Sequence, residues 1–288
     1  MGAALSSIVA WSANAVPVHA IDLTNNADYS LKTVLGIYGY GGNGLVGNFQ
    51  TQPAGTGVFD PFLSINSQGN NPIESGYNTN GAPLYLDQQG PTRNTLLKLS
   101  DLATVAVNGA NYYAFELDAN EPGNAKGLIS IDNVRIYTSP TDTTTTVKSD
   151  ETQLNNLGSL RWAMNDPLSA CGTAFDPYNV KQWIDLDANQ SKGNGGSGIS
   201  DMILYVPTAA FVSAGANDFV WFYNLNGVHY AADSNLAAQA GFEEWRAVTS
   251  TDPQRQVPDG GSTLLLLTLT CGGLGYMARH GSATVKSA

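Results

Sequence analysis

The chain has 288 residues, 13 Lys and Arg against 24 Asp and Glu, and a formal net charge of −11. Charged residues make up only 13% of it, about half of the ~25% usual in soluble domains, while 42% hydrophobic residues supply a core. The balance argues against nucleic acid or an anionic membrane as main partner, since both need clustered Lys and Arg, and 2 Cys with 3 His give no disulfide framework and no zinc site.

Residues 1–20 read as a secretory signal: 3–18 are mostly small or apolar, and Val18-His19-Ala20 puts modest side chains at −3 and −1. Cleavage is expected near Ile21. The basic start of such signals is missing, because no Lys or Arg precedes Lys32.

From 21 to 256 no helical period is sustained. Short apolar runs bounded by Gly, Pro, Asn and Asp predict strands at 31–38, 57–65, 96–107, 112–117, 128–137, 183–186, 202–206 and 219–223. One short helix is expected within 231–247. Many short strands without interleaved helices predict an all-β fold, a β-sandwich of jelly-roll type. The run 138–146, rich in Thr, reads as an exposed connection.

Gly39-Tyr40-Gly41-Gly42-Asn43-Gly44 fits G-x-G-x-x-G, but no helix follows to meet a phosphate, so it reads as a loop. His229 has no catalytic motif around it, and Cys171 reads as a buried thiol. Glu243 and Glu244 are adjacent, so in a strand they would face opposite sides, which suits no glycosidase pair. Trp245 is expected to pack inside.

An internal repeat stands out. Phe115-Glu116-Leu117-Asp118-Ala119-Asn120 recurs as Ile184-Asp185-Leu186-Asp187-Ala188-Asn189, displaced by 69 positions, and the same displacement carries Asp132 onto Asp201. Each unit reads as a hairpin with an acidic corner. Phe115, Leu117, Ile184, Leu186 and Ile203 are expected to be buried. The apolar parity changes after Asp132, which predicts a bulge. Calcium takes six to eight hard oxygen ligands, and Glu116, Asp118, Asn120 and Asp132, with Asp185, Asp187, Asn189 and Asp201, are its candidate ligands. The competing reading is that these side chains cap turn and bulge amides. No cofactor is required, and calcium is the one weighed.

At the C-terminus Val257, Pro258, Asp259, Gly260, Gly261 and Ser262 precede an uncharged stretch, 263–278, closed by Arg279. As a helix the stretch would reach about 24 Å, slightly short of a bilayer core. Arg279 and Lys286 would place the extreme C-terminus in the cytoplasm and the body outside.

Pro-Asp-Gly-Gly-Ser, a short hydrophobic helix and a trailing basic residue together resemble the PEP-CTERM class of sorting tails, in its VPDSG-type variant, with Gly260 in place of the variant's Ser. The resemblance implies that a membrane-embedded exosortase recognises 257–288 and removes the helix, Cys271 with it, after transient insertion in the inner membrane. It also implies a Gram-negative bacterium that secretes exopolysaccharide and forms biofilm or floc. The body resembles one group of proteins with such tails at Ser75-Gly76-Tyr77-Asn78-Thr79, 112–121, 128–137, 201–207 and Gly241-Phe242-Glu243-Glu244-Trp245; no enzymatic activity comes with that. The expectation is a non-enzymatic protein with three parts, 1–20, 21–256 and 257–288, placed on the cell surface or in the extracellular matrix. Exopolysaccharide or like subunits would be its partners there. The alternatives are a calcium-assisted glycan-binding module, with Trp221, Tyr223 and Tyr230 as exposed stacking platforms, and an exported glycan hydrolase or lyase.

Overall fold

A computed structural model of the chain describes residues 19–25, 27–36, 42–48, 59–67, 71–121, 127–165, 180–188, 200–229, 238, 241–250 and 252. Both expected address segments, apart from His19 and Ala20, lie outside the described residues, as do Cys171, Asn189 and Tyr230. Among the described residues no helix is long and apolar enough to cross a membrane.

The fold is all-β, with two facing sheets of seven strands each. Sheet I holds β1 (His19–Leu23), β5 (Glu74–Tyr77), β6 (Leu97–Lys98), β9 (Leu128–Ser139), β10 (Ser159–Ala163), β11 (Gln182–Asp187) and β13 (Phe219–Asn226). Sheet II holds β2 (Lys32–Val34), β3 (Gly44–Gly47), β4 (Leu63–Ile65), β7 (Thr104–Val107), β8 (Ala110–Ala119), β12 (Met202–Pro207) and β14 (Glu243–Ala247). Sheet I runs in the order β1-β11-β9-β13-β5 and sheet II in the order β2-β3-β12-β8-β14-β4. All pairings are antiparallel except that of β1 with β11.

Alternation sends every second side chain into the space between the sheets. Phe115, Leu117, Ile129, Ile131, Ile184, Leu186, Leu204, Phe222 and Trp245 meet there in one core. The other faces are apolar too. Tyr77, Tyr137, Trp221, Tyr223 and Leu225 are covered by Val147, Leu154 and Leu157 on sheet I, and Ile203 and Tyr205 join Val105, Val107 and Val248 on sheet II. The expected core residues are all buried, Ile203 on the outer side of its sheet.

The structure corrects three expectations and narrows a fourth. The repeat units are not hairpins: β8 and β9 lie in different sheets, as do β11 and β12. Each unit is an arch that crosses the core, and the arches interlock, β8 pairing with β12 and β9 with β11. Alternation fixes which side chains point inward but not which strand is the neighbour, so hairpin and arch read alike. The expected helix does not reach 243–247, which form β14 between β8 and β4; 231–237 lie outside the described residues. The strand expected over 96–107 is broken by a 3₁₀ turn, Leu99–Asp101, because β6 joins sheet I and β7 joins sheet II. The threonine-rich run is partly folded in, with Asp142 capping the buried Thr144.

The bulge falls where parity places it. Leu225 lies opposite Asn133 while Asn226 lies opposite Ile131, so Asp132 is the extra residue of β9.

Candidate functional site

Strand direction collects five connections at one pole of the sandwich. They are the links from β1 to β2, β4 to β5, β8 to β9, β11 to β12 and β13 to β14. Most of the repeat's acids sit near this pole with Glu74, Glu121, Glu243 and Glu244.

Glu243 is the first residue of β14 and shares the inward parity of Trp245, while Glu74 opens β5 on the facing sheet. The two carboxyl groups meet across the end of the core and share a hydrogen bond. Glu74 Oε1 accepts from Asn226 Nδ2 at 2.9 Å and Oε2 from the Ser67 amide at 3.2 Å. Both carboxyls are almost fully buried. Burial pushes Glu243 well above the ordinary glutamate range, and the neighbouring charges of Glu74 and then Glu121 add to the rise. Glu243 Oε1 and Asn226 Oδ1 are buried with no hydrogen-bond partner. As expected of neighbours in a strand, Glu244 faces outward, where it accepts from Arg93 Nη1 at 2.6 Å.

Asp132 lies on the outer side of sheet I. A bulge leaves local amides without ladder partners, and Asp132 sits where it can take up amides of the adjoining loop. Its Oδ2 accepts from Ser130 Oγ at 2.9 Å and from the Val228 amide at 2.7 Å, and its Oδ1 from the His229 amide at 3.1 Å. Burial raises its pKa to about 7 against the pull of these hydrogen bonds, with a smaller push from Asp185. Its repeat mate Asp201 accepts from the Ala119 amide at 2.8 Å. Both acids of the repeat therefore hold backbone amides.

The remaining candidates are dispersed. Glu116 and Asp118 point to the outer side of sheet II, so the whole core separates Asp118 from Asp132. Glu116 Oε2 accepts from Ser200 Oγ at 2.8 Å and from Arg246 Nη2 at 3.0 Å, and Arg246 Nη1 also meets Asp252 at 2.8 Å. Asn120 Nδ2 donates to the Phe242 carbonyl at 2.9 Å, tying two of the polar connections together. Gly241, at φ +138°, lies so close to the Asn120 carbonyl that no Cβ fits. Asp185 lies opposite Ser130, and Asp187 opposite Leu128, in the ladder with β9. Among the described residues no three His, Cys, Asp or Glu side chains converge as metal ligands.

Two of the three expected stacking platforms are buried. Trp221 donates through Nε1 to Ser139 Oγ at 2.8 Å, and the Tyr223 hydroxyl donates to Glu151 at 2.6 Å. His229 is exposed and stacks on Trp183, with ring centroids 3.5 Å apart and planes at 17°.

The sequence reading passed over Glu74, Asn226 and Arg246. Nothing in the composition of their own strands marks them, and only the pairing of strands from distant parts of the chain brings them to their partners.

Replacing Glu116 by Ala should destabilise the fold by roughly 3 kcal/mol, since it strips one of two counter-charges from a buried guanidinium. Glu116→Gln should cost less, because the amide oxygen can still accept. Urea denaturation of both variants tests this. Equal losses would mean that a neutral acceptor does nothing for Arg246 and that the carboxylate charge carries the whole effect.

Fold and site together define an all-β sandwich with a carboxyl-lined pole. Comparison with known protein families, curated proteins and solved structures finds no match.

Proposed function

We propose that the protein is exported, non-catalytic and processed by an exosortase, ending on the cell surface or in the exopolysaccharide matrix of a Gram-negative bacterium. The observation that supports this best is the C-terminal order Val257-Pro258-Asp259-Gly260-Gly261, a 16-residue uncharged stretch and Arg279. The fold reading that accompanies it is a jelly roll. Its support is the order β4-β14-β8-β12 in one sheet facing β5-β13-β9-β11 in the other, with the chain crossing between sheets as in two nested Greek keys.

The intact mass of protein recovered from matrix or medium tests the reading. The recovered chain should lack everything beyond roughly Thr263, and Pro258→Ala should hold the protein at the inner membrane. Full-length chain that still carries Arg279, from cells with an active exosortase, overturns it.

A second reading, calcium binding, draws support from the buried oxygens without partners at the carboxyl-lined pole. Glu74, Glu243 and the Asn226 amide oxygen offer two carboxylates and one amide, hard donors of the kind calcium takes. Millimolar calcium should then raise the melting temperature and a chelator lower it, by linkage worth about 2.7 kcal/mol at a hundredfold excess over Kd. Loss of the effect in Glu243→Gln locates the ion at this pair, whereas loss in Asp118→Asn or Asp187→Asn locates it in the repeated motif. An identical melt in calcium and in chelator removes the reading.

A further inference from the structure

The register of β1 assigns His19 and Ala20 to the folded domain, and we propose that the leader is cut between Ala15 and Val16, upstream of the bond before Ile21. The proposal rests on the export reading above.

β1 is the edge strand of sheet I, and its five residues pair in parallel with β11 from His19↔Gln182 to Leu23↔Leu186. Ile21 and Leu23 are 4% and 1% exposed and belong to the main core. Beyond the strand Asp22 Oδ1 accepts from the Thr24 amide at 2.8 Å and the Thr24 hydroxyl at 2.7 Å, which fixes the end of β1. A cut before Ile21 would delete two of the five paired residues. It would also turn the Ile21 amide, in the middle of the ladder and opposite the fully buried Ile184, into an ammonium group. A charge there loses hydration without gaining a partner.

The sequence offers a bond that avoids this. Ala13-Asn14-Ala15 puts alanine at −3 and −1, the small-x-small pattern that leader peptidases read, and it follows an uncharged segment, 2–12. Cleavage there leaves Val16-Pro17-Val18 as a lead-in to an intact β1. Pro17 carries no amide hydrogen and so cannot extend the ladder as a donor. The reaction is a hydrolysis by a membrane-bound leader peptidase. Water adds across the Ala15–Val16 bond, the C–N bond breaks, Ala15 keeps the new oxygen as a carboxylate and Val16 leaves as an ammonium.

N-terminal sequencing and intact mass of the full chain, expressed in a Gram-negative host with its leader peptidase, test the site. The expected terminus is Val16. Ala15→Phe should abolish the cut and Ala20→Phe should leave it unchanged. A terminus at Ile21, or a cut blocked by Ala20→Phe and not by Ala15→Phe, overturns the proposal while leaving export standing. Uncut chain retained in the cytoplasm overturns the export reading itself. The fold argument has its own readout: a chain beginning at Ile21 should melt below one beginning at Val16, and equal melts overturn it.

Discussion

Trp245→Ala is expected to remove about 3–5 kcal/mol of unfolding free energy, the range for deleting a buried Trp or Phe side chain. That is a large share of the 5–15 kcal/mol that holds a typical domain together. Trp245 is fully buried on β14, between β8 and β4, and its ring packs on Phe222 with centroids 4.8 Å apart. Its Nε1 donates to Asn224 Oδ1 at 2.9 Å, so truncation leaves both a cavity and a buried acceptor without its donor. Trp245→Phe refills most of the volume and should lose clearly less. Equilibrium urea denaturation followed by far-UV circular dichroism measures both. A loss under about 1 kcal/mol for the alanine variant would mean that β14 is not anchored by this ring.

Stability is expected to fall as pH rises from 5 to 8. The folded-state pKa of Glu243 lies above its ordinary value of 4.5, and that of Asp132 is raised from 3.8 to about 7. For a carboxyl raised by folding, the native chain binds more protons than the unfolded one between the two pKa values. Its stabilising contribution is therefore complete below the unfolded pKa and is lost as pH climbs through the folded pKa. Asp132 acts between about 3.8 and about 7, while Glu243 acts from about 4.5 upward. Each group can contribute a slope of up to about 1.4 kcal/mol per pH unit while it titrates. Glu243→Gln imitates the protonated side chain next to Glu74 and should flatten the Glu243 share of the profile. Denaturant unfolding at pH 5, 6, 7 and 8 reads this directly. An undiminished slope in Glu243→Gln would mean that Glu243 contributes nothing to it, and a flat wild-type profile would mean that neither carboxyl is raised by folding.

The parts of the fold legible in the sequence were those governed by side-chain parity. The bulge at Asp132 and the inward face of Phe115, Leu117, Ile184 and Leu186 follow from alternation alone, and so does the opposed placement of Glu243 and Glu244. Partner choice was not legible. The repeat at 115–120 and 184–189 is consistent with a hairpin or an arch, and only the strand order of both sheets separates them. Burial of Trp221 and Tyr223 escaped for a related reason. Their outward parity reads as exposure until Val147, Leu154 and Leu157, from a connecting segment, cover them. The meeting of Glu74 with Glu243 joins residues 169 positions apart, a relation that no local spacing encodes.

Strand direction also settles how the domain would hang from a support. β14 runs away from the carboxyl-lined pole, and β1, parallel to β11, begins at that same far side. Both chain ends of the described domain therefore leave from the face opposite the carboxyl groups. If the C-terminal stretch holds the domain to a membrane, as proposed above, the carboxyl-lined pole is the part of the domain farthest from the point of attachment.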